Sequence, residues 1–131
     1  MKLYLDSVVA IYLVEQPTGF GTIAGAAIAR LMPTALDGTD LLRMECLIHP
    51  RRLNDAIRES DFERFFQQNY SPFQSMDAAV FERATVLRAK YWRLKTPDAL
   101  HLSAAIGSGC DAFVTNDVRL KVVTEIGIEV I

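Results

Sequence analysis

The chain has 131 residues, half of them hydrophobic, and a formal net charge of −2. That length fits one compact domain over 1–131 and excludes a disordered chain, since so much apolar surface can build a sizeable core. The charge argues against an overall positive field for nucleic acid or an anionic membrane, although a local basic patch would be hidden in the sum.

The two cysteines, Cys46 and Cys110, lie far apart and form no CxxC pair. Neither a disulfide framework nor a cysteine metal site is expected, and a reducing cytoplasm is the simplest setting. Asp6 interrupts the N-terminal apolar run, so this start does not read as a signal peptide. No stretch approaches a membrane span. A soluble, cytoplasmic protein is expected.

In chain order, KLYLD (2–6) reads as a short strand ending in an acid, and SVVAIYLVE (7–15) as a helix stopped by QPTG. IAGAAIARLM (23–32) is a small-residue helix closed by Pro33. GFGTIAG (19–25), at its start, loosely suggests a phosphate loop, but its spacing is wrong for GxGxxG and no strand precedes it. A turn or strand near TALDG (34–38) leads to a helix over 39–49, ended by Pro50. RRLNDAIRESDFERFFQQNY (51–70) has the spacing of an amphipathic helix. SPF (71–73) is a break, and 75–94 a long helix with Ser75 as N-cap. Then come a helix over 97–107, a Gly-rich turn, a strand over 111–116, a short helix over 118–127 and a strand over 128–131. Short strands alternating with helices define an α/β fold with a mostly parallel central sheet.

Four acids stand out. Asp6 and Asp117 each follow a strand, where ligands of such sheets collect. Asp98 starts an almost wholly apolar helix. Each also has a local explanation: Asp6 and Asp117 can cap the helices that follow, and Asp98 can favour the positive end of its helix dipole. Glu45 is harder to explain locally. At about 100° per residue it projects between Leu41 and Ile48 on one side and Leu42 on the other, away from the polar side near Arg43. A carboxylate on an apolar face must be paired, protonated or metal-bound. A salt bridge to an arginine and a metal both remain open. Two carboxylates about 4 Å apart repel by roughly 4 kcal/mol at an effective dielectric of about 20, so a cluster needs a cation or bound protons. Oxygen-only donors suit Mg²⁺ or Mn²⁺, and with only His49 and His101 a zinc centre is not expected.

Four segments in order, MKLYLDS, TDLLRMECLIHPRR, LRAKYWRLKTPDALHLSAA and DAFVTNDVRL, resemble the PIN-domain nucleases, specifically the VapC-type toxins of bacterial toxin–antitoxin pairs. The resemblance implies an α/β/α sandwich with four to five short strands. It further implies Mg²⁺-dependent endoribonuclease activity, with Mn²⁺ a substitute, and an acidic pocket of Asp6, Glu45, Asp98 and Asp117 supported by Ser7 and Thr115. The chain departs from the family after LDS, where Val8, Val9 and Ala10 replace the usual small polar residue and Val–Leu pair. Family members pair with an antitoxin, here of VapB type, and commonly form homodimers. Arg51, Arg52, Arg93 and Lys95 are candidate RNA contacts, with solvated helix faces as the alternative. Arg88 and Lys90 belong to the same basic stretch, and His101 is expected to be packed or hydrogen-bonded. The aromatic residues of FERFFQQNY (62–70) fit either an antitoxin groove, a dimer surface or ordinary core. Competing readings are a non-toxin PIN nuclease in RNA processing and a non-catalytic RNA- or protein-binding module. A phosphotransfer domain fits poorly, because Val8 stands where a DxD motif needs its second acid.

Overall fold

The computed structural model describes residues 1–70 and 72–131. Within the expected break at 71–73, Ser71 lies outside the described residues. Strands β1 (Lys2–Leu5), β2 (Ala35–Asp37), β3 (Ala112–Thr115) and β4 (Gly127–Val130) form one sheet in the order β2-β1-β3-β4. Every pairing is parallel, with Tyr4 opposite Asp37 and Phe113, and Val114 opposite Glu129. All carboxyl ends therefore share one edge of the sheet. The backbone N–H of Asp6 donates to Val114 O at 2.8 Å, which carries the β1–β3 ladder right up to the acid.

Alternation along the strands divides the core. Leu3, Leu5, Ala112 and Val114 point to one face and pack with Val9, Ile28 and Leu31 from helices α1 (Ser7–Glu15) and α2 (Phe20–Leu31). Tyr4 and Phe113 point to the other and stack with ring centroids 5.5 Å apart. They meet Ala84, Leu87, Ala99 and Leu102 from α5 (Ala78–Lys90) and α6 (Thr96–Gly107). The result is the expected α/β/α sandwich, with four strands among the described residues. At one end α3 (Asp40–Arg52) and α4 (Ala56–Asn69) close a separate cluster of Leu42, Cys46, Leu47, Phe62 and Phe66 around Ala10. No helix among the described residues is long and apolar enough to cross a membrane.

Several expected boundaries move, each for a local reason. Pro50 does not end α3, which runs on to Arg52. The missing proline N–H falls in the last turn and forfeits one helical bond. Termination comes four residues later, where Asn54 takes φ 50° and the N–H groups of Asn54 and Asp55 donate to Arg51 O and Pro50 O. Helix α4 then starts at Ala56 rather than 51, capped by Asp55, which accepts from Arg58 N at 2.9 Å. Helix α5 spans Ala78–Lys90, not 75–94, and its cap is Asp77 instead of Ser75. Gln74 is pinned to the sheet edge by its N–H bond to Gly38 O, so the chain stays extended until Asp77. Helix α6 begins at Thr96, whose hydroxyl accepts from Arg88 Nη1 at 2.9 Å and caps nothing. The expected helix over 118–127 is a single 3-10 turn, Val118–Val122, followed by an irregular path into β4. Helix α2 starts at Phe20, three residues early, and its start packs closely: a Cβ on Gly21 would lie 2.6 Å from Gln16 Cα.

Candidate active site

Asp6 leaves β1 at the carboxyl edge of the sheet. Its carboxylate accepts from Ser7 N at 2.8 Å and from the buried Thr115 hydroxyl at 2.7 Å. Burial pushes its pKa up; the Thr115 bond, nearby His101 and the Ser7 N–H pull it back, and the charge on Glu45 pushes it up again. Thr115 also accepts from Asp117 N at 3.1 Å, so one hydroxyl holds two of the acids in register. Ser7 serves Asp6 through its backbone.

Glu45 lies in the second turn of α3, which Thr39 caps by accepting from Leu42 N at 3.4 Å. Leu42 is buried beside it, whereas Ile48 is 41% exposed, so one flank of the Glu45 face opens to solvent. Its partner is His101, not an arginine: the imidazole, 1% exposed, meets the carboxylate through Nε2. The other ring nitrogen, Nδ1, lies 2.7 Å from Tyr4 Oη, which in turn lies 3.0 Å from Thr39 Oγ1. These bonds are all satisfied if Thr39 donates to Tyr4, Tyr4 to Nδ1, and Nε2–H to Glu45. Burial holds the Tyr4 phenol well above its ordinary range, keeping it a donor at any physiological pH. His101 is thus packed and hydrogen-bonded, as expected, and it orients an acid.

Asp98 occupies the third position of α6, where its charge faces the helix's free N–H groups. Its carboxyl has no side-chain or backbone hydrogen bond among the described residues. Its pKa is raised first by burial, then by the charge of Asp6; His101 opposes this, and Asp117 and Glu45 add to it. Asp117 caps the 3-10 turn by accepting from Arg119 N at 3.0 Å, so the local expectation holds. Arg119 also grips it through Nε at 2.9 Å and Nη2 at 2.8 Å, and this bidentate bond lowers its pKa.

Thr115 links Asp6 to Asp117 at the sheet's carboxyl edge, and the charges of Asp6, Asp117 and Glu45 all raise the pKa of Asp98 after burial. Asp98 and Asp117 open into a cavity of about 510 Å³ whose wall carries Trp92, Arg93, Lys95 and Arg119. Arg93 and Lys95 so fall beside the acids. Arg51 and Arg52 sit in the last turn of α3, roughly 9–10 Å along the helix from Glu45 at about 1.5 Å per residue. Arg51 is bound to Glu59 at 2.9 Å, and Arg52 is exposed. A larger cavity of about 590 Å³ lies between α2, β2 and α4, lined by Leu13, Ile28, Leu36 and Phe65. It is lined by no titratable group, whereas the smaller one carries Asp98 and Asp117. Phe62 and Phe66 are ordinary core; Phe65 is the aromatic residue of α4 that reaches the larger cavity.

In kind, the donors fit a hard divalent cation: carboxylate oxygens alone, one of them unpaired and repelled by its neighbours. In spacing they are not drawn together. Among the described residues no three His, Cys, Asp or Glu side chains stand close enough to hold a metal ion. Glu45 and Asp117 are bonded to His101 and Arg119 instead.

Sequence reasoning missed Tyr4, Thr39 and Arg119. The signal for Tyr4 was present: a tyrosine flanked by Leu3 and Leu5 on a buried strand needs a partner for its hydroxyl.

The fold is an α/β domain whose parallel sheet carries acids, Asp6 and Asp117, just beyond the carboxyl ends of two paired strands. The chain belongs to the PIN domain family, whose model matches residues 3–126. Among solved structures it is similar to VapBC2 from Rickettsia felis, bound to a DNA fragment from the VapBC2 promoter. There the identity is 15%, 98% of each chain is covered and the TM-score is 0.75. It is also similar to a toxin–antitoxin complex from Klebsiella pneumoniae, at 18% identity over 95% of this chain and 94% of that one, with a TM-score of 0.76. No curated protein matches the sequence at a significant level.

Proposed function

We propose that this chain, as one PIN-like unit over 1–131, is the nuclease toxin of a type II toxin–antitoxin pair, a Mg²⁺-dependent endoribonuclease. The carrying observation is Asp98: half-buried, without a hydrogen-bond donor, lining the cavity with Asp117, and with its pKa raised first by burial and then by the charges of Asp6, Asp117 and Glu45 against His101. A chain with no cation to accommodate gains nothing from such repulsion. Asp6, Glu45, Asp98 and Asp117 would hold Mg²⁺ or Mn²⁺. When bound, such an ion supplies a lowered pKa for an attacking water and offsets negative charge on the phosphate. Thr115 orders Asp6 against Asp117, and the Thr39–Tyr4–His101 chain fixes the direction of Glu45. Arg93 and Lys95 are placed to hold phosphates beside the acids, with Arg51 and Arg52 as outer contacts.

Two fold relatives come from toxin–antitoxin complexes, which supports a VapB-type antitoxin as partner here. The apolar cavity beside Phe65 suits an antitoxin helix. A homodimer in the cytoplasm completes the reading. The bonds of Arg119 to Asp117 and of His101 to Glu45 favour one alternative, a PIN module that binds RNA or protein without cutting.

The test incubates the purified chain with total RNA in Mg²⁺, in EDTA, and as Asp98→Asn. Cleavage is expected in Mg²⁺ alone, falling at least about a hundredfold in the variant, since even the outer partners of metal ligands are worth about 10–100-fold. Cleavage that survives chelation or the substitution contradicts the metal mechanism; a wild type inert in Mg²⁺ favours the binding module.

A further inference from the structure

Trp92 is the chain's only tryptophan, and it stands 77% exposed on the wall of the cavity that holds Asp98 and Asp117. A tryptophan kept for packing is buried over most of its surface. This one is presented by a turn closed by Leu94 N donating to Tyr91 O at 2.9 Å, with Trp92 and Arg93 at its tip. The turn is held from three directions. Tyr91 Oη donates to Glu125 Oε1 at 2.6 Å, Leu94 is buried in the core, and Arg88 Nε donates to Leu94 O at 2.9 Å. A rigid scaffold thus carries an exposed aromatic ring.

The ring is already half of a stacking arrangement, because the Arg93 guanidinium lies 4.8 Å from its centroid. Among the described residues Arg93 and Lys95 enter no ion pair, whereas Lys90 is bound to Glu125 and Arg119 to Asp117. An exposed aromatic ring, two unpaired cations and a cavity ending at acids form the pattern that grips single-stranded nucleic acid, bases on the ring and phosphates on the cations.

We infer that Trp92 is a stacking platform for an unpaired base of single-stranded RNA, with Arg93 and Lys95 on the adjoining phosphates, next to the acids. The inference rests on the ribonuclease reading and names the residue that would hold an unpaired base at its site. Bases in a duplex are stacked on one another and cannot reach a ring on a turn tip, so duplex RNA is excluded from this subsite.

The test uses the full chain in EDTA, where binding is read without cleavage. The probes are a mixed-sequence single-stranded oligoribonucleotide and its blunt duplex. Tryptophan emission of the wild type is expected to be quenched saturably by the single strand and not by the duplex. With a fluorescein-labelled single strand, polarisation should give a Kd raised about tenfold or more in Trp92→Ala and within a few-fold of wild type in Trp92→Phe, which keeps a ring. Circular dichroism and thermal midpoint should not change in either variant, since the side chain is exposed. Unaltered emission at saturation, equal quenching by duplex, or an unchanged Kd in Trp92→Ala overturns the inference. If the chain binds through Trp92 but never cuts RNA in Mg²⁺, the nuclease reading falls and the subsite stands. If it cuts while Trp92 is silent, the reverse holds.

Discussion

Asp98 in the first turn of α6 and Asp117 as the cap of the 3-10 turn both sit at helix starts, yet their surroundings push them in opposite directions. Asp98 is raised above the usual aspartate value of 3.8 by burial and by Asp6, Asp117 and Glu45, with only His101 opposing. Below that value folded and unfolded chains are both protonated and the group contributes nothing. As pH rises above it, the unfolded chain loses its proton first, so stability falls until the folded carboxyl ionises as well. Asp117, lowered by Arg119, acts the other way, and its contribution is lost as pH falls through its depressed pKa. Asp98→Asn should therefore raise the metal-free thermal midpoint at neutral pH by about 1–3 °C, a shift typical of relieving one partly exposed repulsion in a domain of this size. The gain should vanish on acidification below the ordinary aspartate pKa. A midpoint that drops at neutral pH would show that the helix-end role of Asp98 outweighs the repulsion. Tyr4→Phe should act differently, because it strands His101 Nδ1 and the Thr39 hydroxyl in the core. We expect a loss of about 1–3 kcal/mol, read as a lower urea midpoint at unchanged m.

At the scale of elements, strands and helices were legible where periodicity and punctuation agreed, and boundaries were not. The strand KLYLD was readable because its apolar run ends at an acid, and helix α1 because Asp6 precedes it. Helix α5 was overextended because Ser75 and Asp77 are both good caps and sequence alone does not show that Gln74 is tied to Gly38. The same limit hid the true end of α3, where Asn54 in the left-handed region does what Pro50 was expected to do. Asp77→Ala should lower stability by about 1 kcal/mol, visible in a urea titration, whereas Ser75→Ala should change it little. Equal effects would mean that the helix starts where the sequence first suggested. The acids were legible for a different reason: strand ends and an apolar helix face are positions where a charge demands an explanation. Their partners were not, since His101 on Glu45 and Arg119 on Asp117 depend on packing between α3, α6 and the turn after β3.

For the whole molecule, the parallel sheet is what brings residues as distant in sequence as Asp6 and Asp117 to one hydroxyl, that of Thr115. Tyr4 and Phe113 stack across the paired strands β1 and β3, so the two acids beyond those strands emerge side by side. Phe113→Ala should cost about 3–5 kcal/mol by opening a cavity under both strand ends, and calorimetry should find the midpoint lowered accordingly. The most direct measurement of a shared cation site is the thermal midpoint of wild type and Asp98→Asn across a Mn²⁺ titration. Ligand that binds only the folded chain adds about 2.7 kcal/mol at a hundred times its Kd, roughly 10 °C here. A rise of that order in the wild type, growing with the logarithm of Mn²⁺ concentration above its Kd and absent from Asp98→Asn, is the expected result. A midpoint indifferent to Mn²⁺ in the wild type, or an equal rise in both proteins, would contradict the site.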